Sequence, residues 1–293
     1  MNTPAPAAAG DDAPDLERRF GALRRLYGDA GYARIRAAGV AIVGVGGVGS
    51  WAAEALARSG VARLVLVDLD HVAESNVNRQ IQATTATLGQ AKVRALGERI
   101  ADIHPGCEVI GVEDFVEPGS WPALLPCAVD AVVDACDQVR AKAAIAAWAC
   151  AGGTPLVTAG AAGGKRAPER VEVADLSAAT HDPLLASLRA RLRRAHAAPR
   201  HGPIGVACVF SREPMTRPIA GDCAVDVAPG AALACHGYGS SVAVTATFGM
   251  VAAGWVLQAL RDPPARQPRQ AATAAEREQG DAILAGFARG AEP

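Results

Sequence analysis

No Cys-x-x-Cys pair occurs among the seven cysteines of this 293-residue chain (Cys107, Cys127, Cys136, Cys150, Cys208, Cys223, Cys235), and their number is odd. A zinc site made of two such pairs is therefore not expected, nor is a disulfide framework, and a reducing cytoplasm fits best. Charge of one sign is not in excess either. Lys and Arg number 29 against 30 Asp and Glu, and the net charge is -1. That balance excludes a molecule coated in positive charge, so any nucleic-acid contact must be a local patch. Residues 1–14, rich in Ala and Pro, contain Asp11 and Asp12 but no apolar segment. They read as a disordered leader and not as a signal peptide. Ser240 to Leu260 lacks charged residues, and Val242 to Leu257 passes a crude length test for a membrane span. Thr245, Thr247, Gly249, Gly254 and Gln258 interrupt it, and no second span exists, so a buried helix covering a sheet is expected, with no membrane partner.

What is present is organised around Gly44-Val45-Gly46-Gly47-Val48-Gly49. An apolar run from Val40 enters it and an alanine-rich helical pattern leaves it, the strand, glycine turn and helix start of a nucleotide-binding unit. Gly44 allows the tight turn, Gly46 lets main chain approach a phosphate, and Gly49 brings helix against strand. The next apolar run, Leu64 to Val67, ends in Asp68, which lies 19 residues beyond Gly49 and is placed to accept both hydroxyls of a ribose.

Further along, Asp15 to Ala38 reads as a docking helix and Gln90 to Ile103 as another, stopped by Pro105. Glu108–Val112, Val129–Asp134 and Leu156–Thr158 read as strands, with a helix from Arg140 to Ala151. Strands alternating with helices imply parallel neighbours joined by crossovers. Beyond Gly160 the texture shifts to short β-like runs around a basic helix. The expected class is α/β, a Rossmann-like doubly wound, mainly parallel sheet with a C-terminal mixed-sheet extension. Residues 15–260 form one domain, with a basic crossover segment at 177–235 and a flexible tail from 261.

A hydride-transferring dehydrogenase explains Gly44 to Asp68 but gives no role to the polar loop Asn76 to Gln80, to Lys92 or to Asp137. Nucleotidyl transfer does. Making an acyl-adenylate from a carboxylate and ATP needs cations on the phosphates, which Arg79 and Lys92 can supply, and a magnesium ion, which Asp137 can hold. At Gly44–Gly49, Asp68-Leu69-Asp70, Asn76-Val77-Asn78-Arg79-Gln80, Gly89-Gln90-Ala91-Lys92 and Asp134-Ala135-Cys136-Asp137 the chain resembles the ubiquitin-activating-enzyme-like adenylyltransferases, the superfamily of the sulfur-carrier activators of molybdopterin and thiamine synthesis.

The resemblance implies a nucleotide site of Gly44, Gly46, Gly47, Gly49, Asp68, Asp70, Asn76, Asn78, Arg79, Gln80, Lys92 and Asp137. In it Asp68 holds the ribose, Asn78, Arg79 and Lys92 the phosphates, and Asp137 the metal. Arg19-Phe20-Gly21, Arg25-Leu26-Tyr27-Gly28, Asp182-Pro183-Leu184, Cys208 to Glu213 and Thr245 to Gly249 are similar to the tRNA threonylcarbamoyladenosine dehydratase branch. That likeness implies ATP-dependent ring closure of threonylcarbamoyladenosine in a tRNA anticodon loop. It also implies a homodimer in which an N-terminal arginine, Arg25 first and Arg19 second, reaches the partner's ATP. Activation of a ubiquitin-like sulfur carrier is the alternative, and a nucleotide-sensing module the non-enzymatic one. A monovalent cation and a sulfur-transfer protein are further candidates for cofactor and partner.

Arg189, Arg191, Arg193 and Arg194, with Arg200 and His201, concentrate positive charge as a phosphate-binding patch requires, although a solvated helix face reads the same way. Cys235, beside His236, is the nucleophile candidate. Sequence neighbours in an extended segment point apart, so an inert Cys235 is the expectation.

Overall fold

The computed structural model describes residues 14–216 and 238–263. The leader, most of the tail and Cys235 lie outside the described residues. Two helices, α1 (Leu16–Phe20) and α2 (Ala22–Ala37), precede the sheet. The helix expected over 15–38 is thus divided at Gly21, and Gly28 at φ 71° adds a kink within α2.

Five strands come next with their crossovers: β1 (Gly39–Val43), α3 (Gly49–Arg58), β2 (Arg63–Val67), α4 (Lys92–Ile103), β3 (Glu108–Val112), β4 (Ala131–Asp134), α5 (Val139–Gly152) and β5 (Leu156–Ala159). After them come β6 (Val171–Asp175), α6 (Pro183–Ala195), β7 (Ala207–Ser211) and α7 (Val242–Arg261).

The strands form one seven-stranded sheet in the order β3-β2-β1-β4-β5-β7-β6. All neighbours are parallel except β6 and β7. The expected mixed extension is therefore the far edge of the same sheet: α6 carries the chain past β6 so that β7 inserts beside β5.

Helices cover both faces. Ala52, Leu56, Leu96, Phe248 and Val256 pack with Ile42, Leu64 and Val133 on one side. On the other, Ile145, Leu185 and Leu188 pack with Val43, Val65 and Phe210. β1 and β4 are buried along their whole length, as continuous apolar strands between two helical layers must be. The apolar α7 is the one described helix long and apolar enough to cross a membrane. In this fold Val244, Phe248, Ala252 and Val256 are buried against the sheet and α3. At Gly249 an added Cβ would lie 2.5 Å from the Val48 carbonyl oxygen, so the two helices touch through backbone.

One charged group sits inside this packing. Glu54, 3% exposed, accepts from Arg58 at 2.8 Å and from Arg99 on α4. Burial raises its pKa, but the hydrogen bonds and charges of Arg99 and Arg58 outweigh burial and hold the carboxyl below its ordinary value. A depressed carboxyl contributes stability above its unfolded pKa and loses it as the pH falls through the folded pKa. Glu54→Gln is expected to cost about 1–3 kcal/mol at pH 7 and far less at pH 3. Urea unfolding at both pH values checks this; an equal loss at both would be the wrong result.

Candidate active site

The strand order reverses between β1 and β4, and ligands of open α/β sheets bind outside the carboxyl ends of the strands at such a point. A cavity of about 220 Å³ opens there. Gly44 begins its floor at φ 82°, a left-handed turn where an added Cβ would meet the Ala135 carbonyl oxygen at 2.9 Å. At Gly49 the Cβ would lie 1.9 Å from the Gly44 carbonyl oxygen, so only glycine lets α3 start this close to β1. No side chain caps α3. Of its first-turn amides, Ser50 N and Ala52 N already donate to Gly46 O and Val48 O, both at 3.1 Å, so main-chain donors for an anion come from the glycine turn ahead of them.

Of the residues expected from the sequence, the fold brings Gly44, Gly46, Gly47, Asp68, Asp70, Arg79, Gln80, Lys92 and Asp137 to the cavity wall. Asp68 Oδ2 accepts from Val45 N at 2.8 Å and Oδ1 from Asp70 N at 2.9 Å. Both oxygens are thereby oriented by main chain, with further lone pairs for a ribose. Burial raises the Asp68 pKa, opposed first by the charge of Lys92. Lys92 is itself buried and donates to Asp70 Oδ2 at 2.6 Å, with Asp68 Oδ1 at 3.9 Å.

The Arg79 carbonyl oxygen is fixed by Trp51 Nε1 at 2.9 Å and Thr245 Oγ1 at 3.4 Å. Its Nη1 donates to Ser75 O at 2.6 Å and Asn78 Oδ1 at 3.0 Å, leaving other guanidinium N–H groups for a phosphate. Asp137 is exposed on the loop between β4 and α5.

Other expected residues lie off the cavity wall. Asn76 is buried away from the wall, and its Oδ1 accepts from Ala73 N at 3.0 Å, which holds the loop's turn. Asn78 likewise lies off the wall; its Nδ2 donates to Ser240 O at 3.0 Å, tying the loop to the entrance of α7. Gly49 acts through close packing. Arg19 caps the end of α4, donating to Ile103 O at 2.7 Å, whereas Arg25 is exposed. Arg189 turns inward to Leu176 O at 2.9 Å and Ala179 O at 2.8 Å, so it does not belong to an outer patch. Arg193 donates to Pro199 O at 3.1 Å, and Arg194 is exposed.

Two groups escaped sequence reasoning. Asp114, Phe115 and Val116, just beyond β3, line the cavity, as do Gly160 to Gly163, Leu184, Met215 and Tyr238 from the β5 side. Beneath the Asp134–Asp137 loop lies a fully buried Lys142, whose Nζ is 3.2 Å from Asp134 Oδ2 and donates to Thr158 Oγ1 at 3.0 Å and Ala159 O at 2.9 Å. Thr158 Oγ1 donates to Asp134 Oδ2 at 2.6 Å. Cys136 Sγ lies 3.0 Å from Asp134 Oδ1, and burial, then the Asp134 charge, pushes its thiol pKa well up.

An open, mainly parallel sheet with a glycine-rich first crossover and a polar cavity at its order reversal defines a Rossmann-like nucleotide-binding protein. The chain belongs to the ThiF family, whose model matches residues 20–279. It is 41% identical over 257 residues to the tRNA threonylcarbamoyladenosine dehydratase of Escherichia coli, covering 85% of this chain and 96% of that one. It is 37% identical over 249 residues to the protein of the same name from Haemophilus influenzae, at 84% and 94% coverage. Its fold is similar to the crystal structure of the E. coli dehydratase in complex with ATP, with a TM-score of 0.74, 40% identity and 84% and 96% of the two chains covered.

Proposed function

We propose that this chain is an ATP-dependent tRNA threonylcarbamoyladenosine dehydratase that works as an AMP-forming adenylating enzyme. One observation carries the reading: a single cavity gathers the glycine floor, Asp68, the cations Arg79 and Lys92, and the free carboxylate of Asp137. Asp68 holds the ribose of ATP, Arg79 and Lys92 the phosphates. Asp70 keeps the Lys92 ammonium aimed until a phosphate shares it.

The described residues hold no group of three or more His, Cys, Asp or Glu able to bind a metal alone. Mg²⁺ nevertheless suits the donor set, because it commonly takes one or two carboxylates together with nucleotide phosphates and water. Asp137 would be that carboxylate, and the ion would neutralise charge on the phosphates. The threonyl carboxylate attacks the α-phosphorus, pyrophosphate leaves, and an acyl-adenylate forms. An internal atom of the modification then attacks the acyl carbon and AMP departs, closing a ring with net loss of water. Holding both partners in one molecule makes the second step fast.

The cytoplasm is the setting, where tRNA is met; the five described cysteines are free, in keeping with a reducing compartment. A homodimer, with exposed Arg25 reaching the partner's site, completes the reading. Nucleoside mass spectrometry after incubation with ATP, magnesium and threonylcarbamoylated tRNA tests it. A mass decrease of one water supports the reading; pyrophosphate exchange driven only by a ubiquitin-like carrier protein would favour the sulfur-carrier alternative.

α6 supplies the tRNA contact. Arg191, Arg193 and Arg194 lie at or near the surface with exposed His196 and Arg200. Replacing the three arginines by Ala is expected to weaken tRNA binding and to flatten the plot of log affinity against log salt by about two to three units. Filter binding from 50 to 200 mM salt reads it, and an unchanged slope would place the tRNA elsewhere.

A further inference from the structure

The cavity wall on the β5 side is backed by a buried cation that is not itself a wall residue. Lys165, 2% exposed, lies two residues beyond the wall residues Gly160 to Gly163. Its Nζ donates to His181 O at 3.1 Å, to Ser211 O at 3.1 Å and to Glu213 O. Three acceptors require the three N–H donors of an ammonium; a neutral amine has only two. The neighbouring carboxylates are engaged with main chain. Glu213 accepts from Arg166 N at 2.9 Å and Ala167 N at 2.9 Å. Asp182 accepts from Ala161 N at 2.8 Å and Leu185 N at 3.0 Å. Burial lowers the Lys165 pKa, and the charges of Asp182 and Glu213 oppose that. The same loop bonds Gly239 O through Gly164 N at 2.9 Å and Thr216 N through Gly164 O at 2.8 Å, so its placement also sets Met215 and Tyr238.

We propose that Lys165 is a positioning residue for the acceptor: its ammonium, caged by three main-chain carbonyls, clamps the 160–163 wall to the start of α6 and the end of β7. The nucleotide half of the cavity, built from β1, β2 and α4, does not depend on it. The sheet order separates the two halves, with β4 and the Asp137 loop between them. This rests on the proposed function: with ATP held by Asp68, Arg79 and Lys92, the wall left for the acceptor is that of Gly160 to Gly163, Leu184, Met215 and Tyr238.

Two variants test it. Lys165→Met keeps the apolar stem and removes the ammonium; Lys165→Ala leaves a space that methylammonium can enter. In both, kcat/KM for threonylcarbamoylated tRNA is expected to fall between about tenfold and a hundredfold. ATP affinity should stay within about twofold, less than 0.5 kcal/mol. Amide hydrogen exchange at residues 161–167 should quicken without nucleotide. Methylammonium should restore both properties to Lys165→Ala and not to Lys165→Met, and tetramethylammonium should restore neither. Wild-type exchange in both variants, no rescue of Lys165→Ala, or loss of ATP affinity in step with turnover each overturns the clamp. If the wild-type enzyme dehydrates no tRNA, the functional reading fails by itself, and the exchange and rescue measurements still decide the role of Lys165.

Discussion

Asp137→Asn is expected to reduce ATP–pyrophosphate exchange by at least about 10²–10³-fold, roughly 3–4 kcal/mol of transition-state stabilisation, while leaving the fold intact. Both halves of that result follow from where the carboxylate sits. It lines the cavity on an exposed loop and makes no hydrogen bond with the described residues, so the amide removes no internal contact. A surface change of this kind stays within about 0.5 kcal/mol of the parent in stability. On the proposed magnesium role its chemical effect is large, because Asn would not anchor the divalent ion whose charge would balance that of the phosphates. Arg79 and Lys92 remain, so ATP affinity should fall less than turnover. Exchange at the wild-type rate in a folded Asp137→Asn protein would remove this residue from the reaction.

The contrast between Asp137 and Asn76 explains what the sequence could convey. Residues acting through local main-chain geometry were legible: a run of apolar residues, a glycine turn and an acid at the next strand end place Gly44, Gly49 and Asp68 whatever surrounds them. Asp137, at the end of β4, follows from the same logic. Asn76 and Asn78 belong to the same polar pattern as Arg79, and in the fold Asn76 Oδ1 accepts from Ala73 N three residues away, while Asn78 Nδ2 donates to Ser240 O, a partner 162 residues along the chain. Arg189 and Arg194 differ in the same way. They lie on one basic helix, and the turn of α6 sends the first to the carbonyls of Leu176 and Ala179. The place of β7 was also hidden. Sequence order predicts β6 beside β5, whereas α6 returns the chain so that the later strand takes that position. Lys142 and Lys165 went unnoticed because their acceptors lie up to 48 residues away along the chain.

Lys142→Met is expected to destabilise the protein by about 3–5 kcal/mol, the largest stability change among these substitutions. Lys142 and Asp134 are both 0% exposed, and no water reaches either. Burial alone would lower the lysine pKa, but the charge of Asp134, neighbouring charges and the hydrogen bond to Asp134 together outweigh it and hold the pKa above its ordinary value. Removing the ammonium leaves Asp134 either charged without a counter-ion or protonated at a cost, with Thr158 Oγ1 at 2.6 Å and the weaker donor Cys136 Sγ at 3.0 Å as its remaining side-chain donors. The double variant Asp134→Asn, Lys142→Met has no stranded charge and is expected to recover about half or more of the loss. Urea unfolding of the four proteins of this cycle measures the coupling. Activity carries a second signature: the Asp134 backbone and side chain begin the loop that ends in Asp137, so the double variant should regain stability without regaining full exchange activity. If Lys142→Met alone unfolds at the wild-type urea concentration, the buried pair does not hold this loop, and the orientation of Asp137 must come from the cavity wall instead.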